Sequence, residues 1–129
     1  MKDYMKLAEK LRATKSDSKR KMLDEAADAI ESMQKLLDGI GSYRVYREAL
    51  ETYGEEVQTL IMFEEMSELQ KELCKHARGR KNKLDIAEEI ADVQIMLAQM
   101  IILHDCASAV EEFKRAKIKR LEANLRNGN

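Results

Sequence analysis

Two carboxylate pairs, Glu65-x-x-Glu68 and Glu89-x-x-Asp92, sit where a helical chain ordinarily puts its core. Residues three apart are neighbours on one face of an α-helix, so each pair presents its oxygens to the same spot. At about 100° per residue, Glu64, Glu65, Glu68 and Glu72 fall on one strip, which continues the apolar strip of Val57, Leu60 and Ile61. On the next periodic segment Asp85, Glu89 and Asp92 lie on the strip that continues as Met96, Met100 and Leu103. Both acidic strips therefore point inward, and the fold has to supply something that neutralises them. Inward carboxylates without partners are costly, and they are normally met by a cation, a proton or a basic side chain. Converging acids with no histidine among them suit a hard, oxygen-seeking ion such as Mg²⁺ or Mn²⁺. The competing reading is local ion pairing, for which Glu68 with Lys71 and Glu72 with Lys75 have the spacing. One such pair would favour ion pairing. Two on adjacent helices, each collinear with an apolar stripe, favour a shared site.

The rest of the chain reads as all-α. Proline is absent, aromatic residues are 5% and charged residues 36%, with eight methionines and abundant Ala, Leu, Glu and Lys. A chain of 129 residues makes one modest core, with four main helices preceded by a helical hairpin. The net charge of −1 gives no electrostatic case for a nucleic-acid polymer as partner. No apolar run approaches the ~20 residues that span a bilayer, so a membrane is not expected either. MKDYMKLAEKLR is too charged for the apolar region of a signal peptide. Cys74 and Cys106 lack zinc or redox spacing and read as buried thiols, which suits a cytoplasmic location.

In chain order, Met1 to Arg12 forms a short amphipathic helix, and Ser16, Asp17 or Ser18 is placed to cap the next one. That second helix runs to about Leu37, with Met22, Ala26, Ala29, Ile30, Met33 and Leu37 at helical spacing. Gly39 and Gly41 read as its end. Residues 1–41 thus form an N-terminal hairpin for packing or oligomer contacts, and 42–129 the main domain. Ser42 is positioned to cap a third helix, Tyr43 to Tyr53, which hinges at Gly54 into a long acidic helix from about Glu55 to Ala77. The basic loop HARGRKNK follows, then a helix from Leu84 to about Cys106 that is apolar over a wide arc: Ile86, Ile90, Val93, Leu97 and Ile101. Ser108 and Glu111 form a capping box for the last helix. Val110, Phe113, Ile118, Leu121 and Leu125 give it a core stripe, and Lys114, Lys117 and Arg120 a basic flank.

YGEEVQTLIMFEEMSELQKEL, a basic loop and IAEEIADVQIML together resemble the all-α nucleoside triphosphate pyrophosphohydrolases, the MazG-like superfamily. The hallmark ExxE, spacer, ExxD is present, with residues 69 to 88 between the pairs, and Gly54 and Gln58 match the lead-in. The likeness covers roughly Tyr43 to Leu125 and stops short of the segment up to Gly41, which is similar in composition to helical leaders on phage-encoded proteins. The resemblance implies a hydrolase of nucleotide metabolism that cleaves a nucleoside triphosphate to the monophosphate and pyrophosphate. Glu65, Glu68, Glu89 and Asp92 would be catalytic metal ligands for Mg²⁺ or Mn²⁺, with Glu64 and Glu72 as auxiliary ligands. It further implies phosphate contacts from Lys117 and Arg120, and a homodimer or homotetramer whose helices complete the pocket. Tyr43, Tyr46, Tyr53 and Phe63 are the aromatic candidates for a base slot, read equally well as ordinary core or surface residues. Two other readings stand beside the enzyme: a helical metal- or partner-binding adaptor without turnover, and a plain helical oligomer whose acids pair with Lys and Arg.

Overall fold

The structure, a computed structural model, describes residues 2–13 and 17–128, so the helix start expected at Met1 and the cap expected at Ser16 lie outside the described residues. It is all-helical, with five helices and no strand among the described residues: α1 (Lys2–Arg12), α2 (Asp17–Tyr53), α3 (Glu55–Ala77), α4 (Lys83–Leu103) and α5 (Ala107–Arg126). Among the described residues, no helix is long and apolar enough to cross a membrane. The chain divides into two compact units, Met1–Val45 and Tyr46–Asn129, with α2 contributing residues to each.

Gly39 and Gly41 do not end a helix, and Ser42 does not cap one; all three lie inside the single 37-residue α2. A glycine in a helix interior costs only about 1 kcal/mol relative to alanine, which the residues around it can outweigh. The true break comes at Gly54, whose φ of 91° and ψ of 158° belong to a region that essentially only glycine enters. α3 starts there with Glu55 and Glu56 in its first turn and ends with Lys75 and His76, the arrangement that complements a helix dipole. Gly79, at φ 95°, closes it: its N–H donates to the His76 carbonyl and that of Arg80 to the Lys75 carbonyl. α4 ends by the same pair of bonds, from Asp105 to Ile102 and from Cys106 to Ile101, with a non-glycine, Asp105, at φ 48°. α5 then begins at Ala107, behind Cys106, with no side-chain cap; the expected capping box of Ser108 and Glu111 is not formed because Ser108 already lies within the helix.

The five-residue connection between α3 and α4 brings them together as an antiparallel pair, the most extensive packing among the described helices. On α3 the seam runs through Gln58, Met62, Glu65, Leu69 and Glu72, alternating steps of four and three, with Gln58, Met62 and Glu72 buried. Its partners on α4 include Met96 and Gln99, both buried, and Glu89, Asp92 and Val93, half-buried. The apolar strip expected beside the acids is therefore displaced by one residue: Val57 and Leu60 are exposed, and only Ile61 of that trio is partly covered. The wide apolar arc of α4 is likewise covered in part, with Ile90 and Leu97 exposed, and the expected α5 core residues Phe113, Ile118, Leu121 and Leu125 are all exposed.

Candidate metal centre on the α3–α4 seam

Three polar levels succeed one another along this seam, each about two turns, roughly 10 Å, from the next. At one end the Gln58 amide donates to the Gln99 Oε1 at 2.6 Å, both side chains buried, while the Gln58 Oε1 has no partner. Beside them the Thr59 hydroxyl donates to the Glu55 carbonyl at 2.8 Å and lies 3.9 Å from the Met100 sulfur. At the other end Glu72, only 8% exposed, accepts from Lys75 Nζ at 2.5 Å and from Asn82 Nδ2 at 2.7 Å. The same Asn82 nitrogen donates to the Glu72 carbonyl at 2.9 Å, which ties the start of α4 to the last turns of α3.

The middle level is acidic. Glu65 of α3 and Glu89 and Asp92 of α4 are all half-buried, and one carboxylate oxygen from each lies within 4.8 Å of the others. Among the described residues, no basic side chain pairs with any of the three. Partial burial pushes the Glu65 carboxyl above the usual carboxylate range, and the charges of Asp92, Glu64 and Glu68 add to it. Glu89 is raised in the same way, first by burial and then by Asp92, Glu68, Glu65 and Glu88. Glu72 shows the opposite behaviour: its bonds from Lys75 and Asn82, with the charge of Arg80, hold it below that range despite its burial. The seam thus contains one carboxylate whose charge is met by the protein and three whose charges are not.

The structure brings together three of the four motif acids. Glu68 stands at the edge, about half exposed, with Lys71 Nζ 3.6 Å from its Oε1, yet near enough for its charge to act on both Glu65 and Glu89. Glu64 is exposed and acts on Glu65 through its charge. Glu72 lies outside the group, held by Lys75 and Asn82, so the ion pairs open to Glu68 and Glu72 in the sequence are both formed. Lys117 and Arg120 are exposed on α5, as are Tyr53 and Phe63 on their helices; Tyr46 is half-buried. Gln99 and Asn82 went unremarked in the sequence as seam residues. Gln99 follows Asp92 by seven positions just as Gln58 precedes Glu65 by seven, and that heptad spacing is the signal that marks Gln99.

Chemically, the three converging carboxylates form an all-oxygen donor set with an open side toward solvent, which fits a hard divalent cation retaining some of its waters. Comparison of the chain with protein-family models, curated proteins and solved structures gave no match.

Proposed function

We propose that the chain is a Mg²⁺-dependent nucleoside triphosphate pyrophosphohydrolase of the MazG-like type, releasing a nucleoside monophosphate and pyrophosphate. The observation that carries this reading is the convergence of Glu65, Glu89 and Asp92 without a basic neighbour, on the two helices whose ExxE and ExxD spacing resembles that family. Two of these acids have raised proton affinity, first from partial burial and then from their acidic neighbours. Elsewhere on the same seam the protein does compensate a buried carboxylate, at Glu72, so the omission at the centre is selective.

Glu65, Glu89 and Asp92 would hold the ion, with Glu68 completing the set once it leaves Lys71. Mn²⁺ fits the same donors. When bound, the ion would supply charge cancellation on the triphosphate and a water of lowered pKa. Glu64, an auxiliary ligand on the sequence reading and exposed one residue before Glu65, would be a spare carboxylate to orient the attacking water as general base. Lys117 and Arg120 of α5, exposed cations on a helix that packs against α4, would meet the leaving pyrophosphate. The aromatic residues Tyr46, Tyr53 and Phe63 remain the candidates for the base slot. A homo-oligomer is part of the proposal: Phe63 on α3 and Phe113, Ile118, Leu121 and Leu125 on α5 are exposed apolar residues of the kind that mark an interface.

The products discriminate the readings. Phosphorus NMR of a reaction with each common dNTP and NTP should show monophosphate and pyrophosphate growing together. Diphosphate with inorganic phosphate would assign a different cleavage. No turnover, with a metal-dependent rise in melting temperature, would favour the non-catalytic adaptor.

A further inference from the structure

The N-terminal helix α2 carries an apolar face that α1 leaves open. Met22, Ala26, Ala29, Met33, Leu36 and Ile40 recur at alternating steps of four and three residues. This is the 3.5-residue repeat that keeps one seam turned toward a partner helix, sustained here for about three heptads. α1 engages a different face: Arg12 pairs with Asp28 and Glu31, and Ala8 and Ala27 are fully buried. The seam itself is open, with Met22, Met33, Leu36 and Ile40 exposed to 67, 57, 66 and 60%. Together its side chains offer on the order of 500 Å² of apolar surface, toward the upper end of what lone chains leave contiguous, against the ~800 Å² each partner gives to a stable interface.

We propose that this seam joins two copies of the chain, with their α2 helices antiparallel about a two-fold axis. The order of side chains points to a second copy as the occupant. Antiparallel alignment about the middle of the seam sets Met22 opposite Ile40, Ala26 opposite Leu36, and Ala29 opposite Met33, so each alanine meets a large residue of the partner. Such a pattern is self-complementary, as a two-fold contact requires, and interdigitates large with small. A parallel pair would instead stack Ala26 and Ala29 on themselves and leave the layers uneven. The contact also accounts for a helix that continues through Gly39 and Gly41, since most helical stability comes from packing of an apolar face. This association lies outside the segment that resembles the pyrophosphohydrolases and does not depend on that activity.

The test is disulfide trapping in the full-length chain with Cys74 and Cys106 changed to Ser. One preparation carries Ala29→Cys and another Met33→Cys; each is oxidised alone and after mixing. The mixture should give a covalent dimer on a non-reducing gel, and the separate preparations should not, because like positions lie too far apart in the antiparallel pair. Leu36→Lys, a change at an exposed position that leaves the fold intact, should abolish the trapped dimer, whereas Lys35→Ala, off the seam, should leave it. A mixture without cross-link, a wild-type solution mass of one chain, or trapping that survives Leu36→Lys would overturn the proposal.

Discussion

Glu65 and Glu89 hold their protons more tightly in the fold than in an unfolded chain. For an acid whose folded pKa is raised, the native state binds more protons than the unfolded one across the window between the two values. Stability therefore falls as pH rises from the usual carboxylate range to the raised folded values. Without metal, Glu65→Gln with Glu89→Gln should raise the melting temperature at neutral pH, and the gain should vanish as pH drops below that window. A pH series of thermal melts checks it; an equal or lower melting temperature for the double variant at neutral pH contradicts it. Glu72 has the reverse sign. Its pKa is depressed, so its stabilisation is present above the usual carboxylate range and is lost as pH falls through the lower folded value. Asn82→Ala removes two of the bonds that hold this corner and should cost about 1–3 kcal/mol in denaturant unfolding. Asp105, at φ 48°, offers a gain instead: Asp105→Gly relieves a left-handed conformation and should stabilise by about 0.5 kcal/mol.

Among the elements, α2 and the α3–α4 pair show where local sequence signals stop being decisive. Gly54 and Gly39 are both glycines with open space around a Cβ, yet one ends a helix and the other does not. Gly39→Ala should therefore stabilise by about 0.5–1 kcal/mol, as in any helix interior, while Gly54→Ala should destabilise by about 1–3 kcal/mol through backbone strain alone. Urea melts of the two variants read this directly; the same sign for both would mean that α2 does not run unbroken through Gly39. The buried Gln58–Gln99 bond makes a different test of packing. Gln58→Leu strands the Gln99 acceptor and should cost about 1–3 kcal/mol, while adding Gln99→Leu should recover most of that loss. Additive losses in the double-mutant cycle would deny the contact.

For the whole molecule, helical class was legible from proline absence and apolar spacing, and α3 from the break at Gly54 and its charge-biased ends. The convergence of Glu65 with Glu89 and Asp92 was legible too, since three-residue spacing on consecutive helices leaves little freedom. The phase of the seam was not. Apolar residues flank the α3–α4 contact on both sides, and polar Gln58 and Glu72 lie within it, so hydrophobic pattern alone favoured Val57 and Leu60. Nor could spacing show that Glu68 turns to Lys71 or that Glu72 is held by Asn82, because the latter depends on how a five-residue connection returns the chain. The exposed stripes of α2 and α5 have the period of core residues, and sequence period does not distinguish a core from an interface.

On the proposed function, the three unneutralised carboxylates form a metal site that hydrolyses nucleoside triphosphates. Its most direct test is the initial rate of pyrophosphate release with Mg²⁺ and with excess chelator, for the wild type and for Asp92→Asn. Release should stop in the chelator and fall at least a hundredfold in Asp92→Asn, a loss of roughly 2.7 kcal/mol or more in transition-state stabilisation. Release that persists in chelator, or an Asp92→Asn rate equal to the wild type, would contradict it.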